Sequence, residues 1–141
     1  CGTMDYLEAI YNFAYRLSGN THIAEELTEN VLIQHPTDDE ALLLRRTWLC
    51  FQNDYGCMEF KGEGMLQQAI LSLEPVVRCS VILHDILGCS YSRIAVILQK
   101  TEAEVKGLVA SGRMGIMQAC KKKKDRQVFL LPAGRREVQD N

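Results

Sequence analysis

Six polar side chains between residues 90 and 113 are candidates for binding nucleic acid. Hydroxyl groups, the tyrosine phenol and the cations of lysine and arginine hydrogen bond to phosphate oxygens or to base edges. These candidates are Ser90, Tyr91, Arg93, Thr101, Lys106 and Arg113. Because hydroxyl residues also cap helices, the spacing of Ser90 and Thr101 predicts two short helices joined by a tight turn. The stretch is therefore predicted to be a helix-turn-helix that contacts DNA.

Two amphipathic helices must position these side chains. The apolar residues of the first, which Ser90 caps, are Ile94, Ala95, Ile97 and Leu98. The second, predicted from Thr101 to Cys120, opens with a capping box in which Thr101 accepts a backbone amide while Glu104 reaches back to the cap. Its apolar stripe is Val105, Leu108, Val109 and Gly112. Lys106 and Arg113 then lie on the opposite face, which in this motif enters the major groove.

Each candidate contact also has a purely structural interpretation. Ser90 and Thr101 cap helices whether or not they touch phosphate. Tyr91 either packs as a ring over the start of its helix or reaches DNA. Lys106 and Arg113 occupy a face that is either solvated or turned towards the groove, and DNA contact is the favoured interpretation for them.

The motifs around these helices resemble region four of the bacterial sigma-70 factors. The resemblance extends from Leu66 to Cys120 and rests on Leu73-Glu74-Pro75, Arg78, Val81-Ile82-Leu83, Gly88-Cys89-Ser90-Tyr91, Ile94-Ala95 and Val105-Lys106. The earlier stretches 14–20 and 24–32 resemble the start of sigma region two. Because both matches occur in the family's order, residues 5–120 are similar to the small, two-domain extracytoplasmic-function type of sigma factor.

The resemblance implies a protein that initiates transcription by binding and not by catalysis. Its first part would dock on core RNA polymerase, and its second part would bind promoter DNA. The polymerase-binding face implied by the family carries Glu25, Glu26, Glu29 and Asn30. An anti-sigma factor is a candidate partner, whereas no cofactor is implied. An enzyme is disfavoured because the chain has no glycine-rich phosphate loop and no motif that joins a nucleophile to histidine and acid.

The helical patterns predict an all-α fold of two small helical bundles, the second containing the helix-turn-helix. The first helix should end at Gly19-Asn20, the second at Gln34, and Thr37 to Glu40 should open the third as a capping box. Pro75 suits the first turn of a later helix. The expected divisions are 5–55, a shortened region-two-like domain; 56–64, a linker; 65–126, the region-four-like domain; and 127–141, a tail. The apolar residues 128–132 are expected to dock on another part of the protein.

The charge is distributed unequally between the two halves. Residues 1–64 contain eleven acidic and four basic residues, whereas residues 65–141 contain seven acidic and twelve basic ones. Only the second half is therefore suited to phosphate.

The sequence predicts a cytoplasmic protein with neither a signal peptide nor a membrane-inserted segment. The six cysteines contain no C-x-x-C pair, and the three histidines have no ligand spacing to them. Reduced thiols are therefore predicted, with a metal site or a redox switch as the alternatives.

Several positions depart from the pattern of the family. Three uncharged residues, Leu108, Ala110 and Ser111, stand where the family carries basic residues on its recognition helix. Arg93 replaces an acidic residue that would close a capping box with Ser90, and it offers a phosphate contact instead. Gln99 replaces a glycine at the turn and must therefore adopt a left-handed backbone.

The first domain lacks the stretch that captures flipped promoter bases in this family. Only residues 33–40 remain there, and the aromatic and basic candidates elsewhere are Arg45, Arg46, Trp48 and Phe51. Base stacking needs exposed aromatic rings in a positive groove, and Trp48 fits a core ring better. These departures leave an alternative function, a sigma mimic or regulatory protein that binds polymerase or an anti-sigma factor with reduced DNA recognition.

Overall fold

Alternating apolar stripes and capping residues produce an all-helical fold over the described part of the chain. The computed structural model describes the backbone of residues 3–130 and the side chains of residues 6–122. Its helices are α1 (Thr3–Ser18), α2 (Thr21–Gln34), α3 (Glu40–Tyr55), α4 (Met65–Leu71), α5 (Pro75–Val81), α6 (Tyr91–Leu98) and α7 (Glu102–Leu130). A π-helical turn, Ile82–Ile86, extends α5. The all-α prediction is confirmed.

The first bundle consists of α1, α2 and α3. Its interior contains the fully buried side chains of Phe13, Leu17 and Phe51. The predicted end of α1 is confirmed, because Gly19 has a φ of 65°, which a glycine adopts without strain. Asn20 caps the next helix, and its Oδ1 accepts from the Ile23 amide over 3.0 Å.

The start of α3 differs from the sequence-based prediction. Asp39, and not Thr37, is the N-cap, because its Oδ1 accepts from the Leu42 amide over 2.9 Å. Asp38 instead accepts from Arg46 Nε over 3.0 Å. The capping box predicted for residues 37–40 is therefore wrong. An aspartate carboxylate caps a helix as well as a threonine hydroxyl does. Because residues 37–39 are all of capping types, the sequence alone does not show which of them is the N-cap.

The second bundle packs α7 tightly against α4 and α5. Pro75 is the first residue of α5, as predicted. A Cβ added to the buried Gly112 of α7 would lie 2.1 Å from Val81 Cγ2 and 3.2 Å from Val77 Cγ1. Since such contacts are sterically forbidden, the absence of a side chain at residue 112 permits this close helix packing.

The two bundles share one hydrophobic core, although no helix forms in the segment 56–64 that joins them. Arg78 lies at their junction and is only 4% exposed. Its Nη1 donates to the Leu17 carbonyl of α1 over 2.7 Å, and its Nη2 donates to the Leu71 and Leu73 carbonyls over 3.1 and 3.0 Å. The guanidinium therefore ties the end of α1 to the α4–α5 turn.

Helix α7 is longer than the pattern indicated. It continues to Leu130, beyond the expected helix end at Cys120 and beyond the expected domain boundary at residue 126. The expectation that residues 128–132 dock elsewhere, and the tail from residue 131, lie outside the described side chains.

Candidate nucleic-acid interface

The start of α6 is fixed by the hydroxyl that the sequence predicted. Ser90 has extended backbone angles, and its Oγ accepts from the Arg93 amide over 3.1 Å. Ser90 is exposed, so its hydroxyl lies beside solvent at the first turn of α6. The predicted cap is confirmed.

The turn between α6 and α7 has a left-handed residue at Gln99, as the resemblance to the family implied. Gln99 has φ and ψ of 54° and 53°. The Lys100 amide donates to the Ala95 carbonyl over 3.0 Å, which satisfies one of the carbonyls at the end of α6. This backbone geometry reverses the chain within a few residues and places α7 beside α6.

The start of α7 carries the predicted capping box. Glu104 Oε1 accepts from the Thr101 amide over 2.9 Å, and Thr101 Oγ1 accepts from the Glu104 amide over 3.1 Å. The pKa of Glu104 is lowered from its ordinary value because its carboxylate accepts from the Thr101 backbone. The box therefore holds the first turn of α7 in place.

The first turns of α7 have one buried and one exposed face. Val105, Val109 and Gly112 are buried, whereas Lys106 is exposed. The other exposed residues of these turns are Glu102, Ala103, Glu104, Gly107, Ala110 and Ser111. This face therefore contains small side chains around Lys106 and has little positive charge.

Tyr91, Lys106 and His84 come together from three elements. The rings of His84 and Tyr91 stack with their centroids 4.3 Å apart and their planes at 13°. The Lys106 Nζ lies 5.6 Å from the centroid of the Tyr91 ring. His84 lies in the π-helical turn, and sequence reasoning did not select it, because nothing in its local pattern indicates a stacking partner.

The two candidate arginines both form ion pairs within the protein. Arg93 Nη2 lies 2.8 Å from Glu40 Oε1, at the first residue of α3. Arg113 donates to Asp85 through Nη2 over 2.5 Å and through Nε over 3.0 Å. These bonds hold the pKa of Asp85 below its ordinary value. Neither acidic partner lies near its arginine in sequence, so no local pattern indicated these pairs.

The candidate polymerase-binding residues share the outer face of α2. Glu25, Glu26, Glu29 and Asn30 are all exposed. Glu25 and Glu29 border a groove of about 470 Å³ between α1 and α2, together with Leu7 and Tyr11. The arrangement combines carboxylates with an apolar floor, which suits a partner helix with basic and apolar residues.

Glu26 differs from its neighbours because it accepts a hydrogen bond from the Tyr55 phenol of α3. This bond raises the pKa of Tyr55 to about 12. Part of the acidic face is thereby fixed to the end of α3.

The two aromatic candidates for base stacking lie in the interior of the first bundle, and the two arginines beside them bond to other parts of the protein. Phe51 is 0% and Trp48 is 4% exposed. Arg45 donates through Nη1 to the Ile97 carbonyl of α6 over 2.8 Å, and Arg46 pairs with Asp38. The aromatic rings therefore belong to the core and do not form an exposed stacking surface.

Metal-binding and membrane-spanning features are absent from the described part of the chain. No group of three or more His, Cys, Asp or Glu side chains is arranged to hold a metal ion there. The cysteines at positions 50, 57, 79, 89 and 120 are free thiols. Among the described helices, none is both long enough and apolar enough to cross a membrane.

Comparison with known proteins identifies the helix-turn-helix region. Residues 63–114 match the sequence model of sigma-70, region 4. These residues include α4, α5, the π-helical turn, α6 and the start of α7.

Two individual proteins extend the similarity to the first bundle. The chain is 29% identical to the ECF RNA polymerase sigma factor SigE of Mycolicibacterium smegmatis, over 77% of this chain and 56% of SigE. It therefore spans little more than half the length of that relative. Its fold resembles that of the sigma factor RpoE in a co-crystal with the anti-sigma factor NepR from Bartonella quintana, with a TM-score of 0.69 and 19% identity. That match covers 84% of this chain and 93% of the solved one.

Proposed function

We propose that this chain is a sigma-like transcription initiation protein of the extracytoplasmic-function type, because residues 63–114 match sigma-70, region 4, and its fold resembles that of the sigma factor RpoE. It docks on core RNA polymerase through its first bundle and binds promoter DNA through its helix-turn-helix. It acts in the cytoplasm by binding and carries out no reaction of its own.

The observation that carries the proposal is the geometry of α6 and α7. Both helices begin at capped and exposed ends, at Ser90 and Thr101, and the exposed side of α7 carries Lys106. In helix-turn-helix proteins the second helix enters the major groove with its N-terminal residues at the base edges, while the first crosses the backbone. Lys106 is therefore the first candidate for a DNA contact, and Ser90 and Thr101 are candidates for phosphate.

The first bundle supports polymerase docking through its acidic face. Glu25 and Glu29 flank an open groove whose floor includes Leu7 and Tyr11. An interface needs an apolar centre with a charged rim, and this groove provides both. Glu26 and Asn30 extend the same exposed face.

Two observations favour the second candidate, a sigma mimic or regulatory protein with reduced DNA recognition. The charges of Arg93 and Arg113 are offset by Glu40 and Asp85 within the protein. In addition, Trp48 is buried, so it offers no platform for a flipped base. The solved relative RpoE is in complex with an anti-sigma factor, and a protein of that class is the corresponding partner for the mimic.

A selection experiment separates the two candidates. The purified protein is incubated with core RNA polymerase, and the complex is used to select duplexes from a randomised DNA pool. We expect a stable complex that enriches one sequence motif, with an affinity that falls as salt rises. Lys106→Ala should reduce enrichment, whereas Lys61→Ala, which removes the same charge from an exposed position of the segment 56–64, should not.

Polymerase docking is tested with a second pair of variants, one on the proposed docking face and one matched control. Glu25→Lys with Glu29→Lys should weaken polymerase binding, whereas Glu59→Lys with Glu63→Lys makes the same charge change on the exposed linker and should have little effect. Polymerase binding without any enriched motif, and with no response to Lys106→Ala, would favour the mimic. Absence of both polymerase binding and DNA binding would refute the sigma-like candidate and would leave only a mimic that binds an anti-sigma factor.

A further inference from the structure

The contact between Tyr91 and Lys106 joins the two helices of the helix-turn-helix on their exposed side. Tyr91 is the first residue of α6, and Lys106 lies in the second turn of α7. The Lys106 Nζ lies 5.6 Å from the Tyr91 ring centroid, within the range of a cation–π interaction. The half-buried ring is thus placed beside the ammonium proposed to contact DNA.

The orientation of the Tyr91 ring is set by His84. The two rings stack at 4.3 Å, and His84 Nδ1 lies 2.9 Å from the Cys89 carbonyl oxygen. Because a carbonyl oxygen only accepts hydrogen bonds, His84 Nδ1 carries the proton and donates it. One face of Tyr91 is therefore supported by an imidazole that is itself fixed to the backbone before α6.

We propose that Tyr91 is a positioning residue, whose ring holds the Lys106 ammonium in place for DNA, and not a residue that contacts DNA through its phenol. This inference rests on the proposed function of the helix-turn-helix. A lysine side chain has four rotatable bonds, and an exposed one loses rotamer freedom when it is held at a phosphate or base. The Tyr91 ring reduces that loss in advance, because it already favours conformations with the ammonium beside it.

The inference distinguishes the ring of Tyr91 from its hydroxyl. If the ring acts through Lys106, removing the phenolic oxygen leaves DNA affinity unchanged, whereas removing the ring weakens binding by about two- to fivefold, the range of an exposed cation–π contact. The effect of the ring also disappears when residue 106 has no charge. A purely structural role for Tyr91 would persist in the absence of that charge.

The test is a double-mutant cycle on the full chain, with duplex DNA affinity measured over a range of salt concentrations. The variants are Tyr91→Phe, Tyr91→Leu, Lys106→Met and the double variant Tyr91→Leu with Lys106→Met. We expect wild-type affinity for Tyr91→Phe, weaker binding for Tyr91→Leu, and no further loss when Tyr91→Leu is added to Lys106→Met. Lys61→Met controls for the loss of one charge, and thermal melting verifies that each variant is folded.

A measurement without DNA tests the contact directly. The Lys106 side-chain methylene protons should show an upfield ring-current shift in the NMR spectrum, which Tyr91→Phe retains and Tyr91→Leu removes. Absence of that shift in the wild type would overturn the proposal.

The affinity data can also overturn it. Equal losses for Tyr91→Phe and Tyr91→Leu would assign the effect to the phenol, and an undiminished effect of Tyr91→Leu in the Lys106→Met background would assign it to structure alone. If the ring-current shift is present but Lys106→Met leaves DNA affinity unchanged, the DNA-binding role of α7 fails, and positioning for DNA fails with it.

Discussion

Arg93 of α6 lies 2.8 Å from Glu40 of α3, and this ion pair joins the helix-turn-helix to the first bundle across 53 positions of sequence. The nearby bond from Arg45 to the Ile97 carbonyl joins the same two helices at a second point. The Glu40 carboxylate thus accepts from Arg93, which is a candidate for phosphate contact. We therefore expect Glu40 to compete with a DNA phosphate for the Arg93 guanidinium.

Glu40→Gln should increase the affinity of the free protein for duplex DNA. The substitution removes the charge that holds Arg93, so Arg93 becomes available for one additional phosphate. The affinity should rise several-fold at low salt, and the slope of log affinity against log salt should become steeper by about 0.9. Fluorescence anisotropy with labelled duplex over a salt series measures both quantities.

The control for this variant is Glu63→Gln, which removes the same charge from an exposed position between the bundles. If Glu40→Gln and Glu63→Gln give the same affinity and slope, the Arg93–Glu40 pair does not compete with DNA. The double variant Glu40→Gln with Arg93→Gln should lose the gain seen with Glu40→Gln alone.

The hydrogen bond between Tyr55 and Glu26 should be visible in a pH titration. Because the pKa of Tyr55 is raised from 10.0 to about 12, the neutral phenol is favoured in the folded state. The resulting stabilisation is present below pH 10 and is lost as the pH rises through 12. Glu26→Gln should move the Tyr55 transition towards 10, as followed by phenolate absorbance relative to a Tyr55→Phe reference. The neighbouring Glu29→Gln should leave it unchanged, and equal shifts in both variants would exclude a specific bond.

Two glycines of α7 should respond to alanine in opposite directions. Gly112→Ala places a Cβ against Val81 and should destabilise the fold by about 1–3 kcal/mol through overpacking. At Gly107 nothing lies within 4 Å of an added Cβ, so Gly107→Ala should stabilise the helix by roughly 0.5–1 kcal/mol. Urea unfolding measures both free energies. A Gly112→Ala protein as stable as the wild type would mean that α5 and α7 separate at little cost.

Gln99→Gly should stabilise the protein. A left-handed backbone costs a residue with a side chain about 1–2 kcal/mol, and glycine adopts it freely. The larger backbone freedom of glycine in the unfolded state offsets part of this gain, so we expect a net increase of up to about 1 kcal/mol in the free energy of unfolding. Gln118→Gly, on the exposed surface of α7, should destabilise by about 1 kcal/mol instead. A loss of stability in Gln99→Gly would indicate that the Gln99 side chain makes a stabilising contact.

Structural features formed by residues close together in the sequence could be predicted from the sequence alone. The caps at Ser90 and at Thr101 with Glu104 were predictable because donor and acceptor lie within three positions of each other. The left-handed turn at Gln99 followed from the resemblance to the family, which carries glycine at this position. Choosing the cap of α3 failed because Thr37 and Asp39 are equally suitable in type, and only the packed structure distinguishes them.

The distant contacts could not be predicted from the sequence in the same way. Arg93 and Arg113 were expected on a DNA-facing surface, but their partners Glu40 and Asp85 lie 53 and 28 positions away. Helical periodicity predicts which face of a helix is polar, but it does not predict which other helix lies against that face. The π-helical turn that carries His84 is likewise set by packing, since no local signal marks its extra residue.

Arg78 limits the exchange of parts between related proteins. Its guanidinium sits between the carbonyls of Leu17 in the first bundle and of Leu71 and Leu73 in the second. A chimera that joins residues 65–130 to the first bundle of a relative would keep the buried Arg78 and its acceptors Leu71 and Leu73. It would retain the bond to the α1 carbonyl only if the end of α1 lay in the same position relative to Arg78. Recombination at the linker would therefore be tolerated only between parents with matching α1 ends, and the two halves are expected to be inherited together.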